Sequence, residues 1–240
     1  MSSIEIGLSV FSFFTSLLTA ITGVGGGMIL IAAMAGVVPA AALVPVHAVI
    51  QLASNVSRAG FGWRHIRWEY MTAFIAGSII AGALGSQFIR LINLDYITLF
   101  VAAFILLSVW LPNWINMLLN ERSEMFSIGV VQTGLGTMGG VTGPLANASM
   151  MRLGCERDEV VTTVAAQMSV THLIKIAAFS LLGVSIWSWW PLMTGMSVGV
   201  ILGSWVGTRS RATLNEQLFK HIVNSLLTVL ALRMIYLTFN

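Results

Sequence analysis

The sequence predicts an all-α integral membrane protein made of two inverted repeats, and three observations support this fold class. The first is composition, because 57% of the 240 residues are hydrophobic and only 9% are charged, whereas soluble domains carry about 25% charged residues. The second is a glycine-rich break at Gly23 to Gly27 that recurs in related form at residues 134–144. The third is the contrasting charge of loops at matching positions in the two halves. We therefore expect one membrane domain, with an N-terminal repeat at 1–119 and a C-terminal repeat at 120–240.

Composition and motifs also exclude several functional classes. The formal net charge of +3 is spread over the loops, so it does not indicate nucleic-acid binding. Cys155 is the only cysteine, and a single thiol allows neither an intrachain disulfide nor a cysteine-based metal cluster. The chain has no phosphate-binding P-loop, no Cys/His metal spacing and no nucleophile elbow. We expect no enzyme activity, no cofactor and no bound metal.

The glycine-rich break is the feature around which the two halves are organised. Four glycines in five positions end a helix, because each costs about 1 kcal/mol in a helix interior. The apolar helix that follows from Met28 begins with N–H groups that lack intrahelical partners, and such helix starts attract anions. One break alone is equally well interpreted as a packing kink. The second break, which ends in Gly143-Pro144, favours a binding site.

Apolar segments of helical length divide each half into four parts, and the first part contains the glycine break and its short helix. In the first half we predict a segment, the break with its short helix, and three further segments at about Ile4–Thr22, residues 23–37, Ala40–Gly60, Trp68–Ile89 and Tyr96–Leu111. A polar joint at Asn120–Glu124 follows. In the second half the corresponding predictions are about Met125–Thr133, the break with a helix at Pro144–Leu153, Val160–Leu182, Ile186–Gly207 and Leu218–Phe239.

Charges in the loops predict that the two halves have opposite orientations. The loop after the second segment carries Arg64 and Arg67, whereas its counterpart at Gly183–Pro191 is uncharged and rich in tryptophan. By the positive-inside rule, the first loop is cytoplasmic and the second lies at the outer interface. The next pair of loops reverses the pattern, with Arg209, Arg211 and Lys220 in the second half against Arg90 in the first.

Inversion requires an odd number of crossings in each half, although each half shows four apolar segments. We assign the glycine-broken segment of each half to a re-entrant helical hairpin whose turn lies near mid-depth. This gives two hairpins, six spanning helices and both termini outside. Segment one is also about long enough for a full span, so the alternative of a full crossing stays open for both hairpins.

Small residues repeat at matching positions in the third segment of each half. Four-residue spacing of small residues lets membrane helices approach closely. We assign them to helix packing, and a homodimer that uses the same faces is the alternative. The matching residues are Gly77, Ala81 and Gly85 in one half and Gly199, Gly203 and Gly207 in the other.

Two spanning segments carry polar stripes at helical spacing. The stripe of the first half consists of His47, Gln51, Ser54, Asn55 and Arg58, and that of the second consists of Gln167, Thr171, His172 and Lys175. A cation inside a spanning helix costs about 2.5–3.5 kcal/mol and marks a pathway or a partner. For Arg58 an interface anchor is an equal alternative, and His47 alone is most simply a polar core residue. All nine acidic residues lie at or near segment ends, so an anionic substrate is the simplest counter-charge.

The chain resembles the sulfite exporter TauE/SafE family over nearly its whole length. The resemblance is carried by Gly23-x-Gly25-Gly26-Gly27, by Gly143-Pro144 and by the repeated small residues. The second motif departs from the family pattern, since Val141-Thr142-Gly143 replaces three glycines, and Ile31 stands at a usual proline position. The resemblance implies export of sulfite or an organosulfonate such as sulfoacetate across the bacterial inner membrane.

Together these inferences predict a secondary transporter that holds a small anion between the two hairpin tips. Backbone N–H groups at the breaks, two cations and polar side chains would form the site: Gly25, Gly26, Gly27, Thr142, Gly143, Arg58, Lys175, Gln51, Asn55, Gln167, Thr171 and His172. An anion channel is one alternative, and a membrane-embedded enzyme or assembly factor is another. The expected partners are the anion and membrane lipid. The choice of anion and the coupling ion stay open.

Overall fold

The computed structural model describes residues 2–91, 93–111, 124–137, 143–210 and 216–239. Within these ranges the regular secondary structure consists of α-helices and short 3-10 turns. In chain order the helices are α1 (Ser3–Thr22), α2 (Gly26–Met34), α3 (Ala40–Phe61), α4 (Met71–Ile89), α5 (Ile97–Trp110), α6 (Glu124–Thr137), α7 (Gly143–Arg152), α8 (Arg157–Leu181), α9 (Trp190–Arg209) and α10 (Glu216–Phe239).

The predicted all-α membrane character and the order of the segments are confirmed. Each predicted apolar segment coincides with a helix to within a few residues, because long apolar runs ended by glycine, proline or charge leave little freedom in where a helix stops. Most of the predicted polar joint at Asn120–Glu124 lies outside the described residues. So does the centre of the second break, including Val141 and Thr142.

Five helices in the described ranges are long and apolar enough to cross a membrane. They are Ser3–Thr22, Ala40–Phe61, Trp68–Ile89, Arg157–Leu181 and His221–Phe239. This set differs from the six predicted spans in three ways: α1 is included, the 14-residue α5 is shorter, and α9 is not among the five. At 1.5 Å per residue, the 20 residues of α1 cover about 30 Å, the thickness of a bilayer core.

Glycine faces pack the helices against one another within a single chain. A Cβ added at Gly203 on α9 would lie 2.2 Å from the Phe13 carbonyl oxygen of α1. A Cβ at Gly77 on α4 would lie 2.2 Å from the Phe126 carbonyl oxygen of α6. The predicted packing role of the small residues is therefore confirmed, and these faces are already occupied inside the protomer.

One end of the molecule gathers two of the charged loops. Arg67, in the loop after α3, donates through Nη1 to Glu159 of α8 at 3.0 Å and through Nε to Glu69 at 2.6 Å. These carboxylates raise the pKa of Arg67, and the Arg67 backbone N–H donates to Thr163 Oγ1 at 2.9 Å. The loop at residues 62–67 and the start of α8 thus lie at the same end.

Candidate functional site

The first glycine break reverses the chain between α1 and α2. Gly23 has φ of 81° and Gly25 has φ of 96°, conformations that favour glycine because it lacks a Cβ. Gly26 lies directly on α1, where an added Cβ would be 1.9 Å from the Thr15 carbonyl oxygen. The first helical bond of α2 runs from the Ile29 N–H to the Gly25 carbonyl. The N–H groups of Gly26, Gly27 and Met28 accordingly begin the helix without a partner among the described residues.

The two breaks are in contact. The Asn147 side chain of α7, the helix that follows the second break, donates through Nδ2 to the Gly23 carbonyl oxygen at 2.8 Å. Asn147 is buried, and its Oδ1 has no hydrogen-bond partner within the described part of the chain. This single side chain joins the two elements that the sequence placed at the centre of the fold. Its position three residues after the second break was the only signal that could have identified it.

A cavity of about 40 Å³ lies where both breaks meet α3 and α8. Its lining combines backbone from the breaks with polar and apolar side chains: Thr19, Gly23, Val24, Gly25, Gly27, Met28, His47, Gln51, Asn55, Arg58, Gly143, Val161, Val164, Met168 and His172. This volume holds about three water molecules, because one water needs roughly 10–15 Å³ of such space. An oxyanion of a few heavy atoms is of similar size.

Arg58 is the cation that lines the cavity. Only 3% of its surface is exposed, and its guanidinium donates to Ser54 Oγ at 3.0 Å and to Asn55 Oδ1 at 3.3 Å. Ser54 in turn is 2.8 Å from Ser16 on α1, so α1 and α3 fix the arginine together. The Nε of Arg58 is buried and has no partner in the described ranges. This donor remains for a ligand.

Two histidines face each other beside the breaks. His47 on α3 and His172 on α8 have ring centroids 6.2 Å apart in an edge-to-face arrangement. His47 Nε2 lies 3.0 Å from the Gly27 carbonyl oxygen, which ties the stripe of α3 to the first break. The sequence favoured a core role for His47, whereas the structure places it in the cavity wall.

Three of the predicted site residues point elsewhere on α8. Thr171 contacts Gln132 and Thr133 of α6 at 3.4 and 3.2 Å, and Gln167 donates to the Met125 sulfur at 3.5 Å. Lys175 is 2% exposed and is not among the described residues that line the cavity. Gly26 packs against α1 and is not among the described residues that line the cavity. The predicted residue Thr142 lies outside the described residues.

The charge of the cavity distinguishes it from a larger one at the other end of the molecule. The larger cavity, about 360 Å³, is bordered by Gly36–Ala40, Asp95, Thr98, Leu237 and Thr238. It contains a carboxylate and, among its described lining residues, no cation. The smaller cavity contains Arg58 and two histidines but no carboxylate in its described lining. Its electrostatics suit an anion, and we take it as the candidate site.

Comparison with known proteins gives one match. The family model described as "Sulfite exporter TauE/SafE" matches residues 8–234. No curated protein and no solved structure matches the chain.

Proposed function

Because the chain belongs to the sulfite exporter TauE/SafE family, a family of membrane transporters, we propose that it exports a small sulfur-containing anion, sulfite or an organosulfonate such as sulfoacetate. The family and the five apolar helices of spanning length indicate a multi-pass membrane protein. The observation that carries the proposal is the cavity between the breaks. It is lined by Arg58 and by the start of α2, whose first N–H groups can donate hydrogen bonds, and its described lining has no carboxylate. We assign the protein to the bacterial inner membrane.

The cavity would bind the oxygens of the anion by charge and by hydrogen bonds. The Arg58 Nε, which has no partner among the described residues, and the first N–H groups of α2 are donors that an anion can satisfy. Gln51 and Asn55 line the same wall and would orient the oxygens. Lys175, one turn beyond His172, adds positive charge behind the wall rather than direct contact.

Matching contacts in the two halves support an inverted repeat. The first helix of each half packs on the glycine helix of the other half, so that α1 lies on α9 and α6 lies on α4. The Ser16–Ser54 contact at 2.8 Å corresponds to the Thr133–Thr171 contact at 3.2 Å. One turn later, Arg58 of the first stripe corresponds to Lys175 of the second.

The same correspondence supports alternating access. In inverted-repeat transporters the substrate lies where the repeats meet, beside broken helices. Here α2 and α7 are short helices of 9 and 10 residues, and Asn147 of α7 donates to the Gly23 carbonyl in the break between α1 and α2. We propose that these two hairpin units rock against α3 and α8 around the cavity.

An anion channel with the same site is the second candidate. The cavity is small, about 40 Å³, which favours a transporter that closes around its substrate. A membrane-embedded enzyme or assembly factor has less support, because the family is one of transporters.

Flux and binding measurements test the proposal. Purified protein should be stabilised against heat by the anion that it binds, since a ligand of the native state adds stability by mass action. A thermal-shift screen with sulfite, sulfate, sulfoacetate, taurine and matching carboxylates identifies that anion. In liposomes, exchange of labelled anion against unlabelled anion at saturable rates supports a transporter, whereas unsaturated flux indicates the channel. Absence of stabilisation and of flux with every anion contradicts both.

A further inference from the structure

The hydrogen bond of His47 determines which of its ring nitrogens carries a hydrogen. Its Nε2 lies 3.0 Å from the Gly27 carbonyl oxygen, and a carbonyl oxygen can only accept. The hydrogen is therefore on Nε2, and in the neutral ring Nδ1 carries a lone pair. This Nδ1 is buried and has no partner in the described part of the chain.

His172 also has a buried ring nitrogen without a described partner. Its ring centroid is 6.2 Å from that of His47, and its Nδ1 is likewise buried without a partner among the described residues. Both side chains are at least 97% buried and line the cavity. The pair thus has two unsatisfied imidazole nitrogens on residues that line one small cavity.

A neutral imidazole pair and an anion are poorly matched. The oxygens of an anion such as a sulfonate only accept hydrogen bonds, and the Nδ1 lone pair of neutral His47 also only accepts. One proton added to the pair converts an acceptor into a charged donor. It then satisfies both the nitrogen and the anion.

The charged groups around the pair favour this proton only when an anion is present. Lys175 on α8 and Arg58 on α3 are the charged residues that face it. Helices α2, α4 and α5 have no ionisable residue. Glu5, Arg152 and Arg209 lie in the terminal turns of α1, α7 and α9, and Asp158 and Glu159 lie in the first turn of α8, more than three turns from His172. In the empty cavity the two cations oppose another positive charge, and a bound anion offsets this repulsion.

We propose that the His47–His172 pair takes up one proton when the anion binds, so that anion affinity rises as the pH falls. This inference rests on the proposed function and extends it to the protonation state of the occupied site. The proton comes from solvent and is released again when the anion leaves. No bond other than N–H is made or broken.

Calorimetry with methanesulfonate tests the inference directly. This anion has no group that titrates near neutral pH, so any proton exchanged on binding belongs to the protein. Titrations in buffers with different ionisation enthalpies give the number of protons taken up. We expect net uptake approaching one proton, and affinity that weakens by up to about tenfold per pH unit between about pH 6 and pH 8. Binding without proton uptake overturns the inference and leaves the proposed function standing. If neither methanesulfonate nor sulfite binds, the proposed function itself fails.

Two variants assign the proton to the histidines rather than to Lys175. Lys175→Arg keeps a cation that does not titrate in this range, and we expect its proton uptake to match that of the wild type; loss of uptake would assign the proton to Lys175. The double variant His47→Gln/His172→Asn keeps polar side chains, with asparagine as at the matching position 55, and should take up none. The exposed residue His65 provides the control, because His65→Gln should leave the proton count unchanged.

Discussion

Arg58 is the residue on which anion affinity depends most directly. The arginine is buried, is held by Ser54 and Asn55, and keeps one donor unused. Hydrogen bonds to charged groups contribute about 1.5–3 kcal/mol, so Arg58→Gln should weaken anion binding by roughly 10- to 100-fold. The measurement is the anion concentration that gives half-maximal thermal stabilisation.

A surface arginine provides the matched control for this variant. Arg209 is exposed and stacks on Trp205, with its guanidinium 4.4 Å from the ring centroid. Arg209→Gln should bind the anion as the wild type does. Equal affinity of the Arg58→Gln and wild-type proteins would remove Arg58 from the site.

Lys175 tests whether charge behind the cavity wall is needed. The lysine is buried, and no described carboxylate forms an ion pair with it, so its removal leaves no described acid unpaired. The folded species seen by gel filtration should therefore be unchanged in Lys175→Ala. Anion uptake into proteoliposomes should be abolished, because the variant lacks the positive charge that we propose behind the cavity wall. Normal uptake by this variant would show that the buried charge has no part in transport.

At the residue scale, the sequence predicted which residues form the polar stripes better than it predicted which neighbouring helix or cavity each side chain contacts. Helical spacing placed Gln51, Asn55 and Arg58 on one side of α3, and all three line the cavity. The same reasoning could not tell that Gln167 and Thr171 turn toward α6, because which side of a buried helix faces a neighbour depends on tertiary packing. For Asn147, a lone amide on a short helix gave no spacing pattern.

The first hairpin requires glycine where α2 begins. A methyl group at Gly26 would meet the Thr15 carbonyl and the Thr19 hydroxyl at 1.9 and 2.2 Å, and overpacking of this kind costs about 1–3 kcal/mol. We expect Gly26→Ala to lower the Tm by roughly 2–12 °C and to reduce anion binding, because the start of α2 must move away from α1. Differential scanning fluorimetry with and without anion measures both effects.

Gly60 is the matched control at the element scale. It lies near the end of α3 with no atom within 4 Å of an added Cβ, so Gly60→Ala should keep the Tm and the anion response of the wild type. A Gly26→Ala protein as stable as the Gly60→Ala protein would contradict the close contact between α1 and α2.

The positions of the helices in the sequence were predictable at this scale, whereas how far each helix extends across the membrane was not. Apolar runs with glycine, proline and charged ends define α3 and α10 almost to the residue. Whether α1 is a hairpin arm or a full span cannot be decided by length, because its 20 residues suit either. The choice depends on how far α2 runs back across the membrane toward the side on which α1 begins. The position of α2 is set by its packing on α3 and α10.

The orientation of the whole molecule can be tested with its single cysteine. Cys155 is partly buried in the loop between α7 and α8, at the end where Arg67 meets Glu159. We expect a membrane-impermeant maleimide to label it from the cytoplasmic side only. Burial, with the nearby Glu159 charge, raises the pKa of the Cys155 thiol. Labelling should therefore be slow near neutral pH and accelerate as the pH rises, because the thiolate is the reactive form.

A second position makes the labelling experiment decisive. In a Cys155→Ser background, a cysteine introduced by Ser185→Cys lies in the exposed, uncharged loop before α9 and should be labelled only from outside. Labelling of both positions from the same side would contradict the inverted orientation of the two halves.

The central claim for the whole molecule is that both glycine breaks bind one anion between them. An experimental structure of the protein with selenite, located by the anomalous scattering of selenium, tests it most directly. The account predicts a selenium peak in the cavity lined by Gly25, Gly27, Gly143 and Arg58, within hydrogen-bonding reach of the arginine. Selenite bound only elsewhere, for example in the larger cavity beside Asp95, by a protein that transports it in liposomes would contradict the account.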